Sequence, residues 1–128
     1  MKTLRTVVAD DDDFSVRYLL RLMERRKGVF EVVGIACNGE RALTIIENER
    51  PDVVFLDIDL PLLNGFEVLE QLVYRPPVVF VTASTEHRER AEQSGAFAYL
   101  CKPIGPDDLG TVIDRLEQRA AAEPKNEG

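Results

Sequence analysis

The sequence predicts an α/β domain in which five strands alternate with five helices and form a doubly wound parallel sheet. Two internal segments, Val53–Asp57 and Val78–Thr82, are apolar up to their last residue, which is typical of strands buried on both faces. The segments between the strands carry apolar residues at helical spacing. This regular alternation calls for a parallel sheet with helices on both sides.

The composition indicates one globular domain. The chain has 128 residues, of which 45% are hydrophobic and 30% are charged, and its net charge is −7. An acidic chain has no overall electrostatic basis for binding nucleic acid by itself. No apolar run approaches the roughly 18 residues of a membrane span, and the first residues lack the apolar core of a signal peptide. We therefore predict a cytoplasmic protein with a domain at residues 1–119 and a polar tail or linker at 120–128.

The first strand and helix surround a run of four acids. Residues 4–9 form the strand, and Asp10 to Asp13 follow it directly. Asp13 is predicted to cap the first helix, because it precedes an apolar stripe, and Gly28 is predicted to end that helix. The stripe consists of Val16, Leu19, Leu20 and Met23.

The second strand is predicted at residues 31–36, which contain three large aliphatic side chains. Asn38 is a predicted N-cap for the second helix, and Pro51 closes that segment. The inner face of this helix consists of Ala42, Ile45 and Ile46.

The second half of the chain contains the remaining three helices. The third begins at Gly65 and is broken by Pro76 and Pro77; its inner side carries Phe66, Leu69 and Val73. Residues 86–94 form a fourth helix that is polar on every side except at Ala91, so we expect it to pack weakly and to be the most mobile element. It contains His87, the only histidine, which is predicted to be exposed and inert.

The last strand is predicted at residues 97–101, after Gly95-Ala96, and the last helix begins at Pro106 with Asp107 and Asp108 in its first turn. Its inner face consists of Leu109, Val112, Ile113 and Leu116.

The two cysteines, Cys37 and Cys101, are too few for a disulfide framework and lack the spacing of a metal site. If they lie on the outer strands of a five-stranded sheet, about 19 Å separates them. A disulfide requires Cα atoms within roughly 7 Å. Both are therefore predicted to be reduced, buried thiols.

Polar side chains stand at the carboxyl ends of four predicted strands. Asp10 and Asp11 follow the first strand, Asp57 ends the third, Thr82 ends the fourth and Lys102 follows the fifth. Because right-handed crossovers put these ends on one edge of the sheet, we expect the five side chains to converge. The alternative for Asp57 is that it only caps the following turn, which is a frequent role of Asp.

Such a cluster has the chemistry of a phosphoryl acceptor. Several carboxylates close together resist full ionisation unless a cation joins them, and oxygen ligands of this kind suit Mg²⁺. A lysine and a threonine hydroxyl can hold the oxygens of a phosphoryl group. One carboxylate is then free to act as the nucleophile toward phosphorus.

The motifs at these strand ends resemble a known family. They are Val7-Val8-Ala9-Asp10-Asp11, Leu56-Asp57-Ile58-Asp59-Leu60-Pro61, Asn64-Gly65, Val81-Thr82-Ala83, Gly95-Ala96 and Lys102-Pro103. With these motifs in order, residues 4–119 resemble the receiver domain of bacterial two-component response regulators. The resemblance implies a flavodoxin-like fold with the sheet order 2-1-3-4-5.

The resemblance also implies a magnesium-dependent phospho-acceptor. Asp57 would take a phosphoryl group from a phosphohistidine, and Lys102 would pair with that group. Asp11 would bind Mg²⁺ directly, Asp10 would help through water, and Asp59 would contribute its backbone carbonyl. Asp57 would also belong to the metal site. The chain would be a signalling receiver that catalyses its own phosphorylation and dephosphorylation, not an enzyme with a separate substrate.

Switching and partners follow from the same resemblance. Thr82 would move toward the phosphoryl group, and Tyr99 would change rotamer as the readout. The phosphodonor would be a sensor histidine kinase or a histidine phosphotransfer protein. The output would be a downstream effector protein or a fused output domain absent from this chain, with no direct binding of nucleic acid or membrane by this domain.

Two departures from the family pattern remain. The family normally has one residue fewer between its acidic pair and the arginine that Arg17 matches, so the pair is either Asp10/Asp11 or Asp11/Asp12. We prefer the first, because residues 4–9 then fit the family strand. Glu89 and Glu92 stand at positions that are usually apolar, which argues against a standard dimer or output contact through the fourth helix.

Other functions stay open at this point. Metal-dependent phosphatases of the haloacid dehalogenase type also use an Asp-x-Asp nucleophile, although Leu60-Pro61 replaces their usual hydroxyl here. An inactive receiver that serves only as an interaction module is the second possibility. Residues 77–83 and 98–103 look nearest to receivers that precede LytTR-type DNA-binding domains, and a stand-alone receiver is equally compatible with the sequence.

Overall fold

The structure is a computed structural model that describes residues 3–122. Five strands and five helices alternate without exception along this part of the chain. They are β1 Leu4–Ala9, α1 Asp13–Glu24, β2 Phe30–Ala36, α2 Gly39–Glu49, β3 Val53–Asp57, α3 Gly65–Gln71, β4 Val78–Thr82, α4 Arg88–Gln93, β5 Ala98–Cys101 and α5 Pro106–Ala122. No helix within residues 3–122 has both the length and the apolarity to cross a membrane.

The strands form one parallel sheet in the order β2-β1-β3-β4-β5, which confirms the predicted fold. Strands β3 and β4 are buried at every position, as uninterrupted apolar strands under two helical layers must be. Asp57 at the end of β3 is in register with Val81 of β4. The carboxyl ends of the central strands therefore form one edge.

A hydrophobic core lies on each face of the sheet. On one face α2 and α3 contribute Ala42, Ile46, Phe66 and Leu69 to the core, and the Phe66 ring meets the Phe80 ring edge-on at 5.1 Å. On the other face α1 and α5 cover the same strands. The core residues of α5 are the predicted Leu109, Val112, Ile113 and Leu116.

Two helices begin at the residues that the sequence indicates. The Asn38 side chain accepts a hydrogen bond from the Arg41 N–H and so caps α2. The Asn64 side chain caps α3 in the same way and forms a reciprocal capping box with Glu67. Each such cap satisfies backbone N–H groups that the first helical turn leaves without partners.

The α2 N-terminus also fits tightly against the loop after β3. The Gly39 N–H donates to the Pro61 carbonyl at 3.0 Å. A Cβ atom at position 39 would lie 1.9 Å from the Leu63 carbonyl oxygen. Only glycine leaves room for this contact, which fixes the loop that follows Asp57.

Several predicted helix details are wrong. Asp12, not Asp13, caps α1, and Gly28 lies beyond the end of that helix at Glu24. In the α1 stripe Leu20 is only partly buried against the core, and Leu22, which the stripe omitted, is fully buried. Val73 lies outside α3 and is 88% exposed. These errors share a cause, since periodicity alone does not fix where the first or last turn of a helix lies.

Three other predictions also need correction. Cys37 is exposed and lies directly after β2, not within it, and Cys101 in β5 is only partly buried. Both are free thiols as expected, and β2 and β5 are the two outer strands. His87 is half-buried, and its ring packs edge-on against Phe66 at 5.8 Å. Helix α5 continues past residue 119 to Ala122. Residues 123–128 of the predicted tail lie outside the described residues.

A carboxylate on α2 holds the segment between α3 and β4. The Glu47 carboxylate accepts hydrogen bonds from the Val73 N–H at 2.6 Å and the Tyr74 N–H at 3.0 Å. The Tyr74 hydroxyl in turn donates to the Pro51 carbonyl. These contacts stop α3 at Gln71, because the chain leaves the helix to reach Glu47.

We expect Glu47→Gln to lower the melting temperature at neutral pH. The two backbone hydrogen bonds hold the pKa of Glu47 below its ordinary value of 4.5. A lowered pKa in the folded state adds stability that is fully present above the unfolded-state pKa and is lost as the pH falls through the folded-state pKa. The melting difference between wild type and Glu47→Gln should therefore shrink below about pH 4.5.

Thermal melts monitored by circular dichroism across this pH range test the expectation. Glu117→Gln, at an exposed position of α5, is the matched control and should melt like wild type throughout. A Glu47→Gln deficit that is equally large at pH 3 and pH 7 would contradict the proposed role of the charge.

Candidate functional site

The edge formed by the carboxyl ends of the strands holds all five polar residues that the sequence singles out. Asp57 ends β3 and Thr82 ends β4, and both side chains are buried. Asp10 directly follows β1 and is also buried, whereas Asp11 is exposed. Lys102, after β5, is part-buried and reaches toward this group.

Lys102 forms ion pairs with two of the acids at this edge. Its Nζ donates to Asp10 Oδ2 at 2.8 Å and to Asp57 Oδ2 at 3.4 Å. The Lys102 N–H also donates to the Thr82 carbonyl at 2.8 Å, which anchors the end of β5 to the end of β4. The ammonium group therefore lies between the first and third strand ends, although it belongs to the fifth.

Three carboxylates gather beside this lysine. Oxygens of Asp10, Asp11 and Asp57 lie within 4.8 Å of one another. Asp12 has another task, since its side chain accepts from the Phe14 N–H at 3.2 Å and from the Ser15 hydroxyl at 2.9 Å. Of the two pairings that the sequence left open, the geometry matches Asp10/Asp11.

Backbone N–H groups orient two of these acids. The Asp12 N–H donates to Asp10 Oδ1 at 2.9 Å, and the Asp59 N–H donates to Asp57 Oδ1 at 3.1 Å. Each carboxylate thus has one oxygen fixed by the main chain and the other turned toward Lys102. This arrangement presents the second oxygens to the same space.

The pKa values reflect this crowding. Burial is the largest cause that raises the pKa of Asp57, and the nearby charge of Asp10 adds to it, while the Asp59 N–H and Lys102 oppose the rise. For Lys102 burial alone would lower the pKa, but the hydrogen bond to Asp10 and the charge of Asp57 outweigh it, so the pKa is raised. The site therefore favours a second cation.

The residues present fit a divalent metal ion. Three carboxylates beside one lysine leave about two negative charges uncompensated. The donors are all oxygens and include the exposed Asp11, and this is the ligand set that Mg²⁺ prefers when it keeps several waters.

Thr82 contacts an acid for which the sequence suggested only a backbone role. Its hydroxyl donates to Asp59 Oδ2 at 3.4 Å and accepts from the Ser84 N–H at 3.2 Å. Asp59 itself is exposed. The structure thus turns the Thr82 hydroxyl toward the Asp59 side chain, a contact that the Asp-x-Asp spacing alone does not reveal.

Tyr99 is tied to the loop between β4 and α4. Its hydroxyl donates to the Ser84 carbonyl, and the Arg88 guanidinium lies 4.8 Å from its ring centroid. Burial raises the pKa of Tyr99, so the hydroxyl stays a donor at neutral pH. Tyr99 was predicted from the sequence, but Ser84 and Arg88 were not, because contacts from the loop before α4 and from its first residue leave no periodic signal.

An apolar cavity of about 270 Å³ opens beside Asp10 and Lys102. The side chains of α1 and the segment after β5 form its walls, and they include Phe14, Tyr18 and Ile104. Phe14 is 78% exposed, and the Tyr18 hydroxyl donates to the Ile104 carbonyl at 2.6 Å. An exposed aromatic side chain thus stands at the mouth of the charged site.

Comparisons with known proteins agree with this geometry. The family model described as response regulator receiver domain matches residues 6–114. An uncharacterized response regulatory protein of Vibrio cholerae is 37% identical over 121 residues, which cover 92% of this chain and 46% of that protein. Transcriptional regulatory protein BtsR of Salmonella typhi is 35% identical over 117 residues, which cover 90% of this chain and 48% of that protein.

Among solved structures, the response regulator domain of Thermotoga maritima CheB is similar, with a TM-score of 0.79 and 26% identity. The similarity covers 96% of this chain and all of that domain. The chain spans about half the length of the two curated relatives. The LytTR likeness stays a prediction.

Proposed function

Because the chain belongs to the response regulator receiver domain family, we propose that Asp57 accepts a phosphoryl group from a phosphohistidine of a partner protein. The observation that carries the proposal is the position of Asp57, which is buried within reach of Lys102 and beside two further acids. A carboxylate held in this way can act as a nucleophile. The same surroundings can stabilise the charge that develops on the phosphoryl oxygens.

The proposed transfer is a displacement at phosphorus. A carboxylate oxygen of Asp57 forms a bond to phosphorus while the bond between phosphorus and the imidazole nitrogen of the donor breaks, so the nitrogen keeps the electron pair. The product is an acyl phosphate on Asp57. Lys102, already 3.4 Å from Asp57 Oδ2, pairs with a phosphoryl oxygen.

Asp10, Asp11, Asp57 and the Asp59 backbone carbonyl are the residues that we propose to hold Mg²⁺. When bound, the ion supplies a Lewis acid that offsets negative charge on the phosphoryl oxygens. The residues themselves fix the acceptor oxygen through the Asp59 N–H. The same acyl phosphate is later hydrolysed within this site, which returns the chain to its resting form.

We propose that phosphorylation shifts a two-state equilibrium. The Thr82 hydroxyl leaves Asp59 for the new phosphoryl group, and the Ser84 N–H that donates to Thr82 moves with it. Tyr99 follows, because its hydroxyl donates to the Ser84 carbonyl. A shift from 1:99 to 99:1 requires roughly 5.5 kcal/mol of differential interaction, which several charge-assisted hydrogen bonds can supply.

The proposed partners are a sensor histidine kinase or a histidine phosphotransfer protein upstream and an effector or output domain downstream. Such a kinase presents its phosphohistidine in the cytoplasm, where we therefore place this chain. We propose that the upstream partner docks on the face formed by Phe14, Tyr18 and Ile104, since this apolar cavity adjoins Asp10 and Lys102.

Phe14→Ala is expected to slow phosphotransfer from a protein donor but not from a small donor. Removing the exposed ring should slow phosphotransfer from a phosphorylated histidine protein by about tenfold, as for an interface anchor. Labelling by acetyl phosphate should stay within about twofold of wild type, because this small donor has no protein surface to dock on the ring. The measurement compares initial rates with the two donors, and an equal loss with both would contradict the docking role.

The proposed function is tested by incubating the purified chain with acetyl phosphate and following its intact mass. We expect one added phosphoryl group that requires Mg²⁺, disappears with EDTA and is released by hydroxylamine, which cleaves acyl phosphates. No added mass in the presence of Mg²⁺ would identify an inactive receiver. Continuous turnover of p-nitrophenyl phosphate would instead indicate a phosphatase.

A further inference from the structure

A second cavity lies at the opposite edge of the sheet. A cavity of about 380 Å³ opens at the amino ends of β4 and β5, where Pro77 precedes the first strand and Phe97 precedes the second. Thr82 and Lys102 stand at the other ends of these strands, beside Asp57 at the end of β3. The cavity is therefore separate from the phospho-acceptor site.

Arginine side chains from two parts of the chain line this cavity. Arg75 comes from the segment between α3 and β4, and Arg115 and Arg119 come from successive turns of α5. No Asp or Glu among the described residues lines it. The lining is thus basic although the chain has a net charge of −7.

Main-chain carbonyls, not carboxylates, hold two of the guanidinium groups. Arg75 donates to the carbonyls of Leu72 and Glu70 at 3.1 and 3.2 Å. Arg115 donates to the Phe97 carbonyl at 2.8 Å, and its guanidinium lies 4.6 Å from the Phe97 ring centroid. Neither takes part in an ion pair within residues 3–122. Both groups are thus oriented while their charge stays uncompensated.

The α5 spacing places a second arginine beside Arg115. Residues 115 and 119 are one helical turn apart, so their side chains share a face of the helix. Guanidinium groups match the oxygens of phosphate in a forked geometry that a lysine cannot provide.

The rest of the lining indicates what the anion is attached to. Leu69, Pro76, Pro77 and Phe97 give the cavity an apolar wall next to the arginines. Its volume is at the lower end of the range for small-molecule sites. A phosphate group carries nearly two negative charges and three acceptor oxygens at neutral pH. It therefore matches two or three guanidinium groups better than a carboxylate, which carries one negative charge.

We propose that this cavity, which we call the arginine cavity, binds a small phosphate monoester with an apolar body. The phosphate contacts Arg75 and Arg115, with Arg119 on the same side, and the apolar body lies against the proline and Phe97 wall. The site does not depend on phosphorylation of Asp57, and its occupant is a ligand, not a phosphodonor.

The test is an NMR titration of the ¹⁵N-labelled chain with phenyl phosphate in Mg²⁺-free buffer. We expect saturable shifts of the Gly95, Ala96 and Phe97 amides, which border the arginine cavity. Arg115→Gln should weaken binding by about tenfold or more through loss of the forked contact. Arg115→Lys should fall between Arg115→Gln and wild type, because it keeps the charge without the fork.

Arg41→Gln, on an exposed position of α2, is the matched control and should bind within about twofold of wild type. Absence of saturable shifts would overturn the proposal, and so would shifts centred on Lys102 or equal losses in Arg115→Gln and Arg41→Gln. Benzoate or a glutamate-rich peptide that binds more tightly than phenyl phosphate would overturn the choice of a phosphate monoester.

Acetyl phosphate labelling of Arg115→Gln provides an independent check. We expect labelling of Asp57 at the wild-type rate, because Arg115 lies at the opposite edge of the sheet from the acids. If wild type shows no saturable shifts with phenyl phosphate but is labelled by acetyl phosphate, only the arginine cavity proposal is rejected. If it shows saturable shifts but is not labelled, only the phospho-acceptor role is rejected.

Discussion

Replacing Asp57 by Asn is expected to abolish phosphorylation by acetyl phosphate. The amide removes the nucleophilic oxygen at the end of β3 but keeps the size of the side chain and its ability to accept the hydrogen bond from the Asp59 N–H. A carboxamide is a poor nucleophile toward phosphorus, so the rate should fall by at least about a hundredfold, to the background of the method. Intact-mass measurement after incubation with Mg²⁺ and acetyl phosphate records the loss.

Asp12→Asn is the matched control for this change. Asp12 lies in the same acidic run, but its side chain caps α1, and Asn caps a helix as well as Asp does. Labelling of Asp12→Asn should therefore stay within about threefold of wild type.

The fold of Asp57→Asn should survive the substitution. Removing one of three crowded negative charges relieves repulsion with Asp10, although it weakens the contact with Lys102. The variant should therefore melt close to the wild-type temperature. If folded Asp57→Asn is labelled as strongly as wild type, the acceptor is another acid and the proposed mechanism is wrong.

Gly39→Ala is expected to have the largest effect on stability. The added methyl group would lie 1.9 Å from the Leu63 carbonyl oxygen and 2.6 Å from the Leu63 Cβ. Because the nearest atom belongs to the backbone, a side-chain rotation cannot relieve the clash. Overpacking of this kind costs about 3 kcal/mol, which corresponds to a loss of roughly 10 °C in melting temperature for a domain of this size.

Gly105→Ala serves as its control. A Cβ at position 105 meets only the Asp108 carboxylate, at an ordinary 3.5 Å, so this variant should melt within about 2 °C of wild type. Thermal melts of the two variants side by side measure the difference. If both variants melt alike, the α2 N-terminus has room to move and the loop after Asp57 is held by other contacts.

The sequence predicts the sheet and most of the acidic site because topology leaves little choice. Apolar strands such as β3 and β4 must be central, and parallel connections then bring Asp57, Thr82 and Lys102 to one edge. The cap at Asn38 and the start of α3 at Gly65 are local signals, and the sequence predicted both. None of these features depends on the detailed path of a loop.

The sequence failed where a contact joins distant segments or where neighbours are alike. Four consecutive acids offer four candidate caps, and only the backbone at the start of α1 selects Asp12. The pattern of α3 extends to Val73, but Glu47 of another helix binds the Val73 N–H and ends α3 earlier. The Asp59 contact with Thr82 likewise joins the loop after β3 to the end of β4.

Helix α4 is held by few contacts, so little free energy opposes its movement. This helix has six residues, buries only Ala91 among its own side chains, and otherwise rests on Arg88 against Tyr99 and Arg90 against Phe66. Exposed cation–π contacts contribute about 0.5–1 kcal/mol each. Moving α4 therefore breaks few stabilising contacts, and the phosphorylation that we propose at Asp57 would need only a small free-energy difference to remodel it.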